Sequence, residues 1–225
     1  MLGTPRVHYR LIDSTNARAR SLALAGAPHG TVVTADEQSA GRGRQGRTWT
    51  APAGRALLGS IVIRQPVALL PLAAGVAVAE EVGSSARLKW PNDVLVDGRK
   101  VAGILVEGRP QEGWAVVGIG LNVAVRVTDF PPELRGRAGT LGLSPADIEP
   151  MLTAVLGALE AWISVDAGAL VAAVRERDAL LGRPLRWAAG QGVGAGIDAG
   201  GRLLVETEAG TVALDAGEVH LLADG

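Results

Sequence analysis

The chain has 225 residues, 48% hydrophobic and 20% charged, which suits one large core with a small appended unit. Its 22 lysines and arginines face 23 acids, and this net charge of −1 argues against bulk nucleic acid as the main partner, since that affinity comes from neutralising many phosphates. The absence of cysteine excludes disulfides, thiolate metal sites and a cysteine nucleophile, and with neither an apolar N-terminus nor a membrane-length apolar run, a soluble cytoplasmic protein is expected.

Alternation predicts a strand over residues 7–12, after which Asp13, Ser14 and Thr15 offer oxygens to cap a helix that Gly26 ends. The first turn of that helix is expected to be exposed and polar. Strands are predicted over 30–36 and 56–64, with the loop 38–49 held between them. Residues 71–82 have helical spacing, with Pro71 tolerated in the first turn, and 87–90 read as a short strand. Two apolar runs, 93–96 and 100–107, are joined by Asp97-Gly98, a hairpin signal, and 114–125 form a further strand. Residues 126–140 are loop-like. Ser144-Pro145-Ala146-Asp147 resembles a capping box opening a helix to about Ile163, and 166–181 make another. Gly182-Arg183-Pro184 marks a boundary between a large unit, 1–182, and a glycine-punctuated tail, 183–225, expected to form a small β-barrel. The tail carries three arginines against six acids, which does not suit nucleic acid.

The loop Gln38-Ser39-Ala40-Gly41-Arg42-Gly43-Arg44-Gln45-Gly46-Arg47-Thr48-Trp49 holds three arginines, three glycines and no acid. Glycine lets backbone bend closely around a ligand, and arginine forks bind phosphate or carboxylate oxygens in pairs, so the loop reads as a cover for a polyanion. Taken alone it is equally a solvated basic loop or an Arg/Gly segment touching nucleic acid. Four further polar clusters abut strands: Asp13-Ser14-Thr15-Asn16, Leu88-Lys89-Trp90-Pro91-Asn92-Asp93, Lys100-Val101-Ala102-Gly103-Ile104-Leu105 and Gly118-Ile119-Gly120-Leu121-Asn122.

In order and spacing the five clusters resemble the biotin protein ligases, which activate biotin with ATP and attach it to a carrier-protein lysine. The resemblance spans roughly residues 7–125, and the tail fits in size and place. It implies an α+β fold, in which helices flank the mixed sheet of a class II synthetase-like catalytic domain and a small SH3-like β-barrel follows. It also implies the ligase-only form, since a first strand near Val7 leaves no room for the N-terminal winged helix of the repressor members. Joining a carboxylate to the α-phosphate of ATP brings two anions together, so cations must sit between them. By resemblance, Lys100 and Arg42 are catalytic. Ser14, Thr15, Asn16, Gln38, Gly41, Arg42, Gly43, Arg44, Lys100 and Gly103 are expected at biotin. Arg44, Arg47, Trp49, Lys89, Asn92, Gly118 and Asn122 are expected at ATP. Trp49 packs over the closed loop or adenine, or is a core anchor at the end of the loop. Asp93 holds Mg²⁺ on the triphosphate or accepts the proton of the incoming lysine.

The implied partner is the biotin carboxyl carrier domain of an acyl-CoA carboxylase. A homodimer could pair through the strand Trp114 to Val123 if that strand is exposed at a sheet edge. Two readings compete: a lipoate-protein ligase of related fold, and a non-catalytic biotin or nucleotide sensor.

Overall fold

Strand side chains alternate between two faces, and here each face of the main sheet meets a different helix. The computed structural model describes residues 1–215 and 217–222; the end of the expected tail, 223–225, lies outside the described residues. The chain runs β1 (Arg6–Ile12), α1 (Thr15–Leu24), β2 (Val32–Gln38), β3 (Leu57–Arg64), α2 (Leu70–Val82), β4 (Arg87–Lys89), β5 (Asp93–Val96), β6 (Arg99–Arg109) and β7 (Trp114–Leu121). Helices α3 (Ile148–Trp162) and α4 (Ala167–Glu176) follow. Then come β8 (Pro184–Trp187), β9 (Gly190–Ile197), β10 (Leu203–Thr207), β11 (Gly210–Leu214) and β12 (His220–Leu221).

Seven strands form a mixed sheet in the order β1-β2-β3-β7-β6-β5-β4, parallel between β1 and β2 and antiparallel elsewhere. One face packs Val33, Val62, Trp114 and Val116 against Ala19 and Ala23 of α1. The other turns Val32, Ile61, Ile63, Val117 and Ile119 into a larger core with α2 and α3. Strand β3 is therefore buried on both faces, as its nearly unbroken apolar run implies. Strand β7 lies between β3 and β6, not at an edge, so the expected homodimer pairing through it is excluded. The edges of this sheet are β1 and β4.

Three boundaries differ from expectation for local reasons. Strand β7 stops at Leu121 because Asn122 turns to donate its N–H to Val101 O, and Val123 to Leu121 O. Helix α4 ends at Glu176, after which Leu88 N donates to Arg177 O and Ala179 N to Leu88 O, docking the chain beside β4. The Ser144/Asp147 capping box forms as expected, but it opens a 3₁₀ turn before α3.

The tail is a five-stranded antiparallel sheet, β11-β10-β9-β8-β12. Its Leu185, Ile197, Leu203, Val205 and Val219 join the same apolar cluster as α2 and α4. Polar ties cross the junction too: Trp90 Nε1 donates to Gly201 O and Arg175 Nε to Ile197 O. The expected boundary near residue 183 is thus a change of sheet without a break in the core.

Candidate functional site

The face of the sheet that carries α1 loses its bulky side chains toward one end. Across β6 and β7, Gly103 pairs with Gly120 and Leu105 with Gly118, which leaves a flat floor. A cleft of about 890 Å³, open to solvent, lies on it. Three side chains rest on this floor. A Cβ at Gly120 would come 2.5 Å from Trp49 Cε2, one at Gly103 would come 3.1 Å from Lys100 Nζ and Trp49 Cζ3, and one at Gly118 would overlap Asn16 Oδ1.

The first turn of α1 is buried, contrary to the exposed polar turn expected, because it is packed onto the sheet. Ser14, Thr15 and Asn16 are 2–4% exposed. Ser14 is the N-cap, its Oγ accepting from Ala17 N. Thr15 donates from both N and Oγ1 to Gln38 Oε1, at 2.7 and 3.1 Å. Ser60, on β3, donates to Asn16 Oδ1 at 2.7 Å and lies 2.8 Å from Thr15 Oγ1. These contacts close one end of the cleft with a preset polar group.

The arginine loop folds back as a tight hairpin. Gly43 N donates to Arg47 O and Trp49 N to Gly41 O. A Cβ at Gly41 would strike Trp49 O and Gln38 Nε2, so glycine is required there by close approach, although Gly41 does not line the cleft. Arg44 pins the hairpin down: Nη1 donates to Asn92 Oδ1 and Nη2 to Gly217 O, both at 3.0 Å. Arg47 pairs with Glu218, and Arg42 lies 3.4 Å from Glu107 Oε1. Asn92 is itself fixed, its Nδ2 donating to Ile104 O.

Cations converge on the cleft from three elements. Lys100 Nζ lies 2.5 Å from Asp93 Oδ1 and 5.6 Å from the Trp49 ring centroid. The pair is electrostatic, since Asp93 Oδ1 makes no directed hydrogen bond. Burial pulls the Arg44 guanidinium below its ordinary value, with Asp93 pulling it back. Lys89 is lowered as well, first by burial, then by the nearby Lys100 charge, against Asp93.

A half-buried ammonium whose charge is disfavoured by desolvation destabilises the folded state. The folded protein binds the Lys89 proton less tightly than the unfolded chain does. Stability therefore rises with pH across the window below about 10.4, the ordinary lysine value, and the penalty is constant below the lowered one. Lys89→Met is expected to raise Tm at pH 7 by about 2–4 °C while impairing activity, with the gain shrinking as pH enters that window. Thermal melts of both proteins from pH 7 to 10 check this; a Tm that falls at pH 7 counts against it.

Of the expected site residues, Thr15, Asn16, Gln38, Arg42, Gly43, Arg44, Arg47, Trp49, Lys89, Asn92, Asp93, Lys100, Gly103 and Gly118 line the cleft. Ser14 and Gly41 act one step back from it. Asn122 does not reach it: it is 3% exposed and its Nδ2 donates to Gly139 O, so it ties the 126–140 loop to the sheet. The reading missed Ser60 and Glu107, which the period-2 row of each strand points toward the site. It also missed Gly217 and Glu218, brought from about 170 residues away with no local signal.

A glycine floor, a buried polar end and several cations beside an arginine-rich hairpin mark this cleft as the candidate site. The chain belongs to the biotin/lipoate A/B protein ligase family, whose model matches residues 8–123. It is 36% identical over 231 residues to the biotin–[acetyl-CoA-carboxylase] ligase of Mycobacterium tuberculosis, covering 92% of this chain and 86% of that one. It is 38% identical over 153 residues to the bifunctional ligase/repressor BirA of Bacillus subtilis, covering 63% of this chain and 47% of that longer protein. Its fold matches that of biotin protein ligase from Aquifex aeolicus in complex with biotin and ATP, with a TM-score of 0.81 at 27% identity over 97% of this chain and 99% of that one. No helix among the described residues is long and apolar enough to cross a membrane.

Proposed function

We propose that this protein joins biotin to ATP, forming biotinyl-5′-AMP, and then transfers the biotinyl group to a lysine of a biotin carboxyl carrier domain in the cytoplasm. The observation that carries this reading is Lys100. Its ammonium rests against Gly103, paired with Asp93, and lines the same cleft as the polar Thr15, Asn16 and Gln38 and the cations Arg44, Arg47 and Lys89. The relatives named for biotin ligation support the choice of substrate.

In the first step a biotin carboxylate oxygen bonds to the α-phosphorus and pyrophosphate leaves. Lys100 and Arg42 offset the charge of the two approaching anions, while Arg47 and Lys89 hold the outer phosphates. The apolar chain of biotin lies along Leu105 and Trp49, and the buried Trp49 Nε1, without a partner among the described residues, is a donor left for a ligand. In the second step the carrier amine attacks the acyl carbon and AMP leaves. Asp93 stands where it can take the ammonium proton. It is also a single carboxylate suited to Mg²⁺ held mainly by phosphate oxygens, the ion supplying charge neutralisation when bound.

The hairpin 38–49 serves as a cover that keeps water from the mixed anhydride. Biotin with ATP is expected to slow tryptic cleavage after Arg42, Arg44 and Arg47 about tenfold, as expected of a closing loop. Equal cleavage with and without ligand removes the protective role.

The test of function is ATP-dependent transfer of labelled biotin to a purified carrier domain, with pyrophosphate release followed in parallel. Labelling by lipoate but not biotin keeps the fold and overturns the substrate. Biotin binding without pyrophosphate makes the protein a sensor.

A further inference from the structure

Strand β6 carries Lys100 and Gly103, and the same face continues past Leu105 to Glu107. Its side chain is 20% exposed and outside the cleft lining. Glu107 Oε2 accepts from Asn16 Nδ2 at 2.9 Å, and Oε1 lies 3.4 Å from both Arg20 Nη1 and Arg42 Nη2. One carboxylate thus joins three elements: α1, β6 and the arginine hairpin. A carboxylate only accepts, so it dictates that the Asn16 amide presents its NH₂ to β6, while Asn16 Oδ1 meets Ser60. It also supplies the negative charge that brings Arg42 down to the sheet, with Arg20 as second counter-ion.

We infer that Glu107 is a positioning residue for the biotin end of the site: it fixes the Asn16 amide and tethers the Arg42 side of the cover. The inference rests on the biotin-ligase reading. Among the described residues the polar partners of Glu107 are Asn16, Arg20 and Arg42, so its influence falls on biotin and the cover and spares ATP.

The two functions separate in two variants. Glu107→Gln keeps an acceptor for Asn16 and loses the charge; Glu107→Ala loses both. Biotin affinity is measured by calorimetry without ATP, KM by pyrophosphate release for each substrate, and cover mobility by tryptic cleavage at Arg42 and Arg44. Glu107→Ala is expected to weaken biotin about tenfold or more, the effect of stranding a buried donor, with the KM for ATP changed less than about threefold. Glu107→Gln is expected to hold biotin affinity within about threefold yet speed cleavage of the ligand-free hairpin about tenfold, since only the ion pair is gone.

A purely structural role raises both KM values together and is not rescued by glutamine; that result overturns the inference. So does Glu107→Gln with wild-type cleavage, a readout that stands even if Glu107→Ala fails to fold. Wild-type protein that binds no biotin sinks the ligase reading instead, and the cleavage arm still reports on the tether.

Discussion

Lys100→Ala is expected to lower the rate of adenylate formation at saturating biotin and ATP by about 10²–10³-fold, the usual loss when one preorganised donor to developing charge is removed. The geometry gives Lys100 this weight. Its ammonium rests against Gly103, paired with Asp93 and 5.6 Å from the Trp49 ring centroid, so it is in place before substrates arrive. Arg42, Arg44 and Arg47 have other partners in Glu107, Asn92 with Gly217, and Glu218. They sit on a loop, whereas Lys100 is built on a strand inside the sheet. Most of the loss is expected in kcat, since charge on the transferring oxygens grows toward the transition state. Lys100→Arg is expected to recover little, because a planar fork cannot occupy the point above Gly103 that the ammonium fills. Single-turnover pyrophosphate release at pH 7 decides this. A loss below about tenfold, or one confined to KM, would place Lys100 in ground-state binding and leave the chemistry to the arginines.

How legible was all this in the sequence? The alternation of β1, the apolar run of β3 and the helical spacing of α2 are readable because each records the environment its faces meet. The cleft residues are readable because their chemistry is local: an arginine-glycine hairpin and a lysine beside a strand glycine. What cannot be read is the environment made by distant segments. The Asp13–Asn16 turn is polar in sequence and looks exposed, yet Ser60 and Glu107, from strands β3 and β6, satisfy it and allow it to be buried. Asn122 follows two glycines and reads as a ligand group, but it is buried outside the cleft lining and its Nδ2 donates to Gly139 O in the 126–140 loop. Strand β7 reads equally well as an edge or a centre, since glycines suit both; only the sheet order places it in the middle. Glu218 enters the site because the second sheet docks on α2 and α4, a packing event with no trace near residue 218 itself.

Gly118→Ala is the smallest change expected to disable biotin binding, by about 10²-fold, through space alone. The glycine has no unusual backbone angle, so no conformational strain enters. The added methyl would overlap Asn16 Oδ1, and Asn16 cannot yield: it is 4% exposed and held by Ser60, Leu105 O and Glu107, and the Ser14 cap fixes the turn from the other side. Overpacking of this kind costs about 1–3 kcal/mol, and breaking the Asn16 contacts adds the desolvation of buried polar groups. At about 2–4 °C per kcal/mol the melting temperature falls visibly. Gly157→Ala is the matching control: it lies in α3 with open space at the Cβ position, so the same substitution is expected to gain about 0.5–1 kcal/mol from helix propensity. Combining Gly118→Ala with Asn16→Ala separates fold from function. Removing the asparagine frees the space, so stability returns to that of Asn16→Ala alone, whereas biotin affinity stays low because the polar end has lost its amide. Calorimetry and thermal melts on the four proteins test each part. Wild-type affinity in Gly118→Ala would mean that the turn of α1 shifts freely, and the preset polar end of the cleft would have to be abandoned.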